Sequence, residues 1–366
     1  MSGKTIFITG VTGYIGGTVL QSIITSKNPP SKIIGLIRDS TKINLFTNLE
    51  LARQHNVTLV PLLGSLEEHD KIRDAAFEAD VVVSCANADD LKGVQAMLEG
   101  MRRRKEKTGH RPHLIHTSGT GVLVDDARGE YPTDTIYTDL NPSPATRVSP
   151  ALHSVTEIPV TNPHRNVDLE IVQADQAGVI KSYIVLPSTI WGCGQGEVYE
   201  KSLSHATSQQ MPLLIEIAIK RKRAGVVGKG QCANIWPHIS IVDLGHLYRL
   251  VWEQSTVTKP VIGHGPAGYY FGISGEYTLL GATSAIGQSL AKYGALPKGT
   301  ETSPTTFTKE EIDLYFGGSW FSGTNSRGVA DRSKSIGWNP KYTDEEQFFE
   351  DIDQEAKRIS QALLKQ

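Results

Sequence analysis

The feature that most constrains this sequence is a glycine-rich turn between an apolar run and an amphipathic run near the start of the chain. The segment "KTIFITGVTGYIGGTVLQSIITSK" (4–27) reads as a β-branched strand, a turn and a helix. Glycines in such a turn let the backbone approach a pyrophosphate, whose charge lies on the free N–H groups and positive end of the helix. This context, more than the glycine spacing alone, predicts a dinucleotide-binding loop, and a purely structural tight turn is the alternative. The residues expected to contact the cofactor are Gly10, Thr12, Gly13, Tyr14, Ile15 and Gly16.

The order of elements predicts the fold class. Short apolar runs such as "KIIGLIR", "VTLVPLLG", "ADVVVSCAN" and "HLIHTSG" alternate with amphipathic stretches such as "DLKGVQAMLEGMRRRKEK". Strands that are apolar throughout and separated by helices are typical of a parallel sheet covered on both faces. We therefore expect an α/β fold: a Rossmann doubly wound parallel sheet over 1–190, to which 238–260 return, and a smaller α+β part over 191–237 and 261–366.

The end of the second predicted strand bears on which dinucleotide binds. An Asp or Glu there would accept hydrogen bonds from the adenosine ribose, but this chain has Arg38, 22 residues after Gly16, with Lys42 one turn later. A guanidinium matches a 2′-phosphate with two parallel hydrogen bonds, which favours NADP over NAD. In the alternative, Arg38 stacks on the adenine and Asp39 takes the ribose, in which case NAD binds.

Composition narrows the classes of partner. The formal net charge is −2 and 39% of the residues are hydrophobic, so no global basic field favours nucleic acid or an anionic membrane. The basic run "KRKR" (220–223) is short and reads as a solvated helix end. Cys85, Cys193 and Cys232 have neither disulfide-framework nor metal-ligand spacing, and no apolar stretch is long enough to span a membrane. We expect a cytoplasmic protein with a small-molecule ligand and no metal.

Five motifs in order then carry a family resemblance. "TGVTGYIGG", "HTSG" (116–119), "VLPSTIWGCG" (185–194), "HISIVDLGHLY" (238–248) and "NSRGVADRSKSIGWNP" (325–340) resemble the extended short-chain dehydrogenase/reductase superfamily, in its fungal NAD(P)-binding, epimerase/dehydratase-like branch. The resemblance implies NAD(P) in the sheet domain and substrate in the smaller C-terminal part. It also implies a Ser that binds the substrate oxygen and a Tyr, in Y-x-x-x-K spacing, that exchanges a proton with it.

Residue by residue, only part of this machinery carries over. Ser118 matches the serine, Ala86 is expected to contact the cofactor, and Pro187, Ser188 and Thr189 match the loop beside the nicotinamide. The chain contains no Y-x-x-x-K. Counting back from the matching strand end puts Val160 at the Tyr position and His164 at the Lys position.

The stretch "PVTNPHRNVDLEIVQA" (159–174) is therefore the opening of a rewritten helix. Pro159 and Pro163 disfavour helix up to the residue before them, so we expect the helix to begin near His164, with Val167, Ile171 and Val172 packed on the sheet. An imidazole titrates near neutrality, which suits binding of the nicotinamide ribose or acid–base work. In the alternative, His164 is a helix-start residue satisfied by backbone.

Other residues could contribute to the site. Tyr131 and Tyr137, in the polar insert after Ser118, could replace the missing phenol or could be surface residues, and Asp125 and Asp126 of that insert are expected to be solvated. Trp236 and His238 precede the "ISIVDLGHLY" motif and could contact an apolar or aromatic substrate. Trp191 could equally be a core residue. For Asp243 a structural role is favoured over a catalytic one.

Two functions remain open on the sequence. The first is an NADP-dependent oxidoreductase acting on a carbonyl or related group of a small metabolite, with Ser118 and His164 as catalytic residues. The second is a dinucleotide-binding sensor or regulator without turnover, like the NmrA-type members of the superfamily. The retained serine favours the enzyme, and the lost Tyr and Lys favour the sensor. The resemblance also implies a homodimer, to which the helix of "DLKGVQAMLEGMRRRKEK" could contribute if it does not only pack on its own sheet.

Overall fold

The computed structural model describes residues 3–141, 149, 151–228, 234–257 and 262–363, and Cys232 lies outside them. In the described part, strands and helices alternate through most of the chain. The strands are β1 (Thr5–Thr9), β2 (Lys32–Ile37), β3 (Thr58–Leu63), β4 (Val81–Ser84), β5 (His113–Thr117), β6 (Ile136–Thr138), β7 (Leu152–Ser154), β8 (Lys181–Pro187), β9 (Thr189–Trp191), β10 (Gly225–Val226), β11 (Ile235–Ser240), β12 (Tyr269–Gly272), β13 (Gly275–Thr278), β14 (Thr305–Thr306) and β15 (Gly328–Val329).

The helices differ widely in length, from single turns to a C-terminal helix of five turns. They are α1 (Tyr14–Ile24), α2 (Ile43–Thr47), α3 (Glu50–Gln54), α4 (His69–Glu78), α5 (Leu91–Thr108), α6 (Arg165–Gln176), α7 (Glu197–Glu200), α8 (Gln210–Arg221), α9 (Ile241–Ser255), α10 (Leu279–Lys292), α11 (Lys309–Phe316), α12 (Asp331–Ser335) and α13 (Glu345–Leu363). None of these described helices combines the length and the apolar composition that crossing a membrane requires.

The central element is a seven-stranded parallel sheet in the order β12-β8-β5-β4-β1-β2-β3. The inner strands are buried along their length, as the uninterrupted apolar runs predict, while the edge strand β3 is partly exposed. Helix α1 packs against α9, and α5 packs against α4 and α6. With right-handed crossovers, this strand order places the two groups on opposite faces. The predicted Rossmann-type α/β fold is confirmed.

The smaller part has its own core beside the carboxyl ends of the central strands. A three-stranded sheet in the order β13-β11-β9 lies next to α8, α10 and α13. Trp191, Ile215, Leu290 and Phe348 are among the buried side chains that this second core shares. The segment of predicted substrate residues therefore forms an organised unit that meets the main sheet through β9 and β11.

The structure departs from the predicted boundaries at one strand. Residues 261–366 were expected to belong to the smaller part, but β12 pairs with β8 and forms an edge of the central sheet. Its backbone is held there by Asp139, which accepts hydrogen bonds from the N–H groups of Phe271 (3.1 Å) and Arg332 (2.7 Å). Burial raises the pKa of Asp139 to about 6 despite these bonds. The stretch around β12, "GYYFGISGEY" (268–277), is rich in glycine and aromatic residues and lacks the β-branched run that marks the other central strands.

Candidate active site

The phosphate loop between β1 and α1 can only be built from glycine at its two ends. Gly10 has φ +80°, and a Cβ there would lie 2.8 Å from the Cys85 carbonyl carbon. A Cβ on Gly16 would lie 1.9 Å from the Gly10 oxygen, well inside van der Waals contact. The N–H of Gly13 donates to that same oxygen at 2.8 Å, which closes the turn. The first turn of α1 is thereby pressed against the end of β1.

This turn leaves donors free at the start of α1. The first helical hydrogen bond runs from Gly17 N–H to the Gly13 oxygen at 2.9 Å. The N–H groups of Tyr14, Ile15 and Gly16 precede it and have no acceptor within the helix. Together with the positive end of the helix dipole they form an anion-binding corner. A dinucleotide pyrophosphate fits this corner.

A cavity of about 340 Å³ opens beside the loop. It brings together five of the residues predicted from the sequence, Gly13, Tyr14, Ile15, Ala86 and Ser188, with Cys85, Ile190, Ser208, Gln209 and Gln210. Ser208, Gln209 and Gln210 come from the start of α8 in the smaller part, where no motif marks them in the sequence. The cavity thus lies between the phosphate loop, the ends of β4 and β8, and the second core.

The remaining predicted cofactor residues border this region through their backbone or neighbours. The Thr12 carbonyl accepts a hydrogen bond from His205 N–H at 3.1 Å, so it fastens the smaller part to the loop. Thr189 Oγ1 lies 3.1 Å from Gln210 Oε1 and 2.9 Å from the Tyr277 hydroxyl. Pro187 ends β8, and the hydroxyl of Ser188 donates to the Gly272 carbonyl at 2.7 Å.

The Tyr14 side chain couples the loop to the smaller part. Its hydroxyl donates to the Gly192 carbonyl, and its own carbonyl accepts from the Tyr199 hydroxyl at 2.6 Å. Burial, reinforced by Asp351, raises the pKa of Tyr14 well above its usual value. The phenol is therefore a neutral, fixed donor and is not poised for proton transfer.

Arg38 is exposed just beyond β2 and makes no hydrogen bond or ion pair with the described residues. Its neighbour Asp39 is occupied, because it accepts from Thr41 N–H at 2.9 Å and from the Thr41 hydroxyl at 2.7 Å. Lys42 donates to the Ser202 carbonyl. The guanidinium is thus free to meet an incoming phosphate, whereas the carboxylate that could bind a ribose caps a turn.

Ser118 follows β5 and is nearly buried, and its hydroxyl donates to Asp168 Oδ2 at 3.0 Å. Asp168 on α6 has no solvent exposure, and its second oxygen has no hydrogen-bond partner among the described residues. Burial raises the pKa of Asp168 to about 7, although the Ser118 hydroxyl and Arg165 oppose the shift. The pair is therefore a hydroxyl beside a carboxyl that can be protonated near neutral pH.

His164 stands at the N-cap of α6, where the helix was predicted to begin, and its backbone is left-handed with φ +64°. Its N–H and its ring Nδ1 both contact Asp89 Oδ1, at 3.2 Å and 2.7 Å. The opposite ring nitrogen, Nε2, lies over the Ser118 loop: a Cβ added to Gly121 would be 3.2 Å from it, and one on Gly119 would be 3.5 Å away. Asp89 fixes which ring nitrogen faces that loop.

Ser118 and His164 do not line the 340 Å³ cavity, whose walls are formed by other residues. His116 lies in β5, two residues before Ser118, and is fully buried. Neither of its ring nitrogens has a hydrogen-bond partner among the described residues. Burial, with a smaller contribution from His164, lowers the pKa of His116 to about 3, so that imidazole stays neutral. The candidate acid–base groups therefore form a second cluster, separate from the lining of this cavity.

The alternative phenols lie elsewhere. Val160, at the expected Tyr position, is 70% exposed. Tyr131 is exposed as well, and Tyr137 lies in β6 with its ring 5.8 Å from His153. Asp125 accepts from Asn325 N–H at 2.8 Å, so it ties the insert to the C-terminal segment, while Asp126 pairs with Arg128 at the surface.

The aromatic candidates of the smaller part have packing roles. Trp191 donates to His238 Nδ1 at 3.1 Å and Trp236 donates to the Thr324 carbonyl at 2.7 Å, and all three side chains are buried. Burial lowers the pKa of His238 to about 4. Asp243 accepts the N–H groups of Lys341 (2.9 Å) and Tyr342 (3.0 Å) and anchors the segment before α13.

The basic run at 220–223 lies at the end of α8. Arg221 is largely buried, bonds Glu311 at 2.7 Å and lies over the Phe307 ring, so the expectation of a wholly solvated helix end is wrong for this residue. In the part of the chain that the structure describes, no group of three or more His, Cys, Asp or Glu side chains could hold a metal ion.

No family model matches the chain. A curated relative, oxidase ucsJ of an Acremonium species, is 28% identical over 358 residues, which cover 92% of this chain and 93% of that protein. The yeast protein YLL056C, which is uncharacterised, is 25% identical over 261 residues and 68% of this chain.

Solved structures superpose over nearly the whole chain. UDP-glucuronic acid 4-epimerase from Bacillus cereus, in complex with UDP-glucuronic acid and NAD, has a TM-score of 0.57 at 14% identity and covers 97% of this chain and 99% of its own. Alfalfa vestitone reductase has a TM-score of 0.55 at 15% identity, with 97% and 99% covered. The chain therefore has the same overall fold as these solved enzymes, a Rossmann-type α/β fold with a parallel central sheet.

Proposed function

We propose that this chain is an NADP-dependent oxidoreductase that acts on a carbonyl or related group of a small metabolite. The observation that carries the proposal is the corner of free N–H groups at the start of α1, which opens beside a cavity bounded by Ala86 and Ser188. Such a corner suits a dinucleotide, and the cavity leaves room for its reactive end. The nearly neutral net charge favours a small-molecule substrate over nucleic acid.

The residues that would hold the cofactor are the N–H groups of Tyr14, Ile15 and Gly16 and the guanidinium of Arg38. Arg38 is unpaired within the described residues, whereas Asp39 is engaged by Thr41, which supports a 2′-phosphate at this position. A nicotinamide cofactor supplies or accepts a hydride when bound. NAD remains the alternative cofactor, and two similar structures, the Bacillus epimerase and the Streptomyces dehydratase DesIV, contain NAD.

Ser118, supported by Asp168, would act on the substrate oxygen. The Ser118 hydroxyl is a donor that can turn from Asp168 Oδ2 to a substrate oxygen after a small rotation. A carboxyl whose pKa is raised to about 7 by burial is protonated in a large fraction of molecules at neutral pH, and this form can return a proton to the serine as it is used. In this arrangement Asp168 acts through Ser118 and is a positioning residue.

His164 would replace the missing phenol and amine. Its Nδ1 contacts Asp89, so the neutral imidazole carries its proton on Nδ1 and presents the Nε2 lone pair towards Gly119 and Gly121. When Nε2 carries the proton instead, the ring presents an N–H to the same loop. This pairing lets one residue accept a proton in one reaction direction and donate it in the other.

The relatives give the proposal further support. The Acremonium relative is named an oxidase, and vestitone reductase is named a reductase, so both names refer to redox chemistry. The epimerase and dehydratase names belong to enzymes of the same fold with other reactions. We also propose a homodimer, which the family resemblance implies, and a cytoplasmic location, which is in keeping with Cys85 and Cys193 not being joined in a disulfide.

A second candidate is a sensor that binds the dinucleotide without turnover. One observation favours it: the Ser118 hydroxyl is committed to Asp168, and neither Ser118 nor His164 lines the cavity beside the phosphate loop. A sensor would need only the loop and Arg38. The two candidates therefore differ in consumption of the cofactor and agree on its binding.

The test begins with titration of NADPH and NADH into the wild type, Arg38→Ala and the control Arg103→Ala, whose guanidinium lies on the exposed side of α5 and pairs with Glu99. Loss of a charge-assisted pair of about 1.5–3 kcal/mol should weaken NADPH by roughly tenfold to a hundredfold and leave NADH unchanged. An unchanged NADPH/NADH affinity ratio would show that Arg38 does not bind the 2′-phosphate.

Turnover then separates enzyme from sensor. NADPH oxidation is followed with a panel of aldehydes, ketones and enones for the wild type, Ser118→Ala and His164→Ala. We expect one substrate class to be consumed and each variant to lose most of kcat while still binding NADPH. Tight binding without consumption of any panel member would support the sensor and refute the oxidoreductase.

A further inference from the structure

A second cavity lies at the amino-terminal ends of the central strands, whereas the phosphate loop follows the carboxyl end of β1. It measures about 600 Å³ and lies where four adjacent strands begin. Lys4 precedes β1, Asp80 precedes β4, and β5 and β8 start at His113 and Lys181. Lys4 and Gly10 are six residues apart on an extended segment, which at about 3.3 Å per residue separates the two edges by about 20 Å.

The lining of this cavity has an excess of positive charge. Its one carboxylate, Asp80, already accepts from Arg104 and, at 2.9 Å, from Thr5 N–H. Arg111, also in the lining, pairs with Asp175 at 2.9 Å. These two arginines are therefore neutralised by carboxylates of the protein.

Lys4 and Lys181 have no such partner. Both side chains are half-buried, and neither ammonium group makes a hydrogen bond or ion pair with the described residues. A lysine that is partly removed from water without a counter-charge is unfavourable, and two beside one cavity repel each other. The site therefore holds about two positive charges that an anionic ligand could compensate.

His113, in the wall of the cavity, is also affected by the positive charges of Lys4 and Lys181. Its ring packs 5.8 Å from the Tyr183 ring, and its Nδ1 has no hydrogen-bond partner among the described residues. Burial, followed by the nearby charges of Lys181 and Lys4, lowers the pKa of His113 to about 3. The wall thus contributes a neutral imidazole and leaves the positive charge on the two lysines.

We propose that this cavity binds a small molecule that carries a phosphate group, with Lys4 and Lys181 as its ligands. A phosphomonoester carries about −1.5 to −2 charges near pH 7, which matches two ammonium groups. The cavity exceeds what inorganic phosphate alone would occupy and falls within the roughly 300–1,000 Å³ of small-molecule sites, so it has room for an organic body.

Isothermal titration of the full-length protein tests the site with three probes: inorganic phosphate, glucose 6-phosphate and, as the uncharged control, glucose. The variants are Lys4→Gln, Lys181→Gln and the double variant, compared with Lys298→Gln, an exposed lysine of a distant loop. Arg38→Ala controls for binding of the probes at the cofactor site.

We expect saturable binding of both phosphate probes to the wild type and the two controls, and none of glucose. Each single lysine variant should weaken binding at least fivefold, the double variant by more than twentyfold, and Lys181→Arg should restore most of the affinity. Tighter binding of glucose 6-phosphate than of phosphate would assign the organic body, and equal binding would assign free phosphate as the ligand. Wild-type affinity in the double variant, or no saturable binding of either phosphate probe, would overturn the proposal.

Discussion

Replacement of Asp168 by Asn should make the protein more stable above neutral pH. Asp168 is fully buried on α6, next to Ser118 and Arg165, with Asp89 as the neighbouring like charge and the Tyr269 hydroxyl bonded to Arg165. Burial raises the pKa of its carboxyl from 3.8 to about 7. The ionised form is therefore the unfavourable one in the folded protein, and an amide of the same shape removes it while still accepting the Ser118 hydrogen bond.

The sign and size of the expected change in the free energy of unfolding follow from proton linkage. Between about pH 4 and pH 7 the folded Asp168 holds its proton while the unfolded chain releases it, so this residue's stabilising contribution is lost as pH rises through that window. A shift of about three pKa units corresponds to at most about 4 kcal/mol at 1.36 kcal/mol per unit. Because about 1 kcal/mol of this change falls below pH 4.5, the free energy of unfolding of Asp168→Asn, relative to wild type, should rise between pH 4.5 and pH 8 by up to about 3 kcal/mol.

Urea unfolding followed by circular dichroism at pH 4.5, 6, 7 and 8 measures this difference. The control is Glu170→Gln, the same acid-to-amide change on the same helix, where the side chain is only half-buried. The difference in the free energy of unfolding between Glu170→Gln and wild type should stay constant over this pH range. The titrating groups that both proteins share cancel in this difference. Parallel curves for Asp168→Asn and wild type from pH 4.5 to pH 8 would refute a raised pKa at this site.

Three further predictions concern the phosphate loop, the contact between Asp89 and His164, and the core of the smaller part. Gly16→Ala should lower dinucleotide affinity by more than a hundredfold in titrations, because its Cβ would be 1.9 Å from the Gly10 oxygen. Gly109→Ala should bind normally although its φ of +73° makes the change mildly destabilising, because its Cβ would meet no atom within 4 Å and Gly109 lies at the end of α5. Asp89→Asn should lower kcat about tenfold or more while the KM for NADPH is retained, because His164 loses its orienting carboxylate; equal kcat would remove Asp89 from the mechanism. Leu290→Ala should cost about 2–5 kcal/mol in urea unfolding, since the side chain is fully buried in the second core; a loss under 1 kcal/mol would contradict that packing.

Local patterns were enough to predict most strands of the central sheet. The phosphate loop has its own glycine requirement, and the strands β1, β2, β4 and β5 are apolar runs bounded by turns, so each could be assigned without knowledge of its neighbours. The start of α6 was predicted for the same reason, because two prolines exclude helix before His164. Strand β12 could not be found, because a short edge strand is defined by its pairing with β8.

The sequence predicted only some residues of the candidate site. Gly13, Ala86 and Ser188 follow strands whose ends meet at one edge of the sheet, so motif matching could collect them. Asp89 lies in a loop 75 residues from His164, and Asp168 meets Ser118 across 50 residues. Hydrogen bonds over such separations depend on tertiary packing, and a single sequence without patterned spacing carries no signal for them.

The helix start at His164 shows how the missing tyrosine and lysine affect the rest of the site. A left-handed backbone costs a non-glycine residue roughly 1–2 kcal/mol, and here Asp89 offsets it by accepting both the N–H and the ring of His164. The strained residue turns Nε2 towards Gly119 and Gly121, where a side chain at Gly121 would crowd it. Because α6 begins only at Arg165, its first turn brings Asp168 under Ser118. This one helix start thus positions His164, the candidate proton-transfer group, and Asp168, which acts through Ser118, and both must be tested together with the loop that faces them.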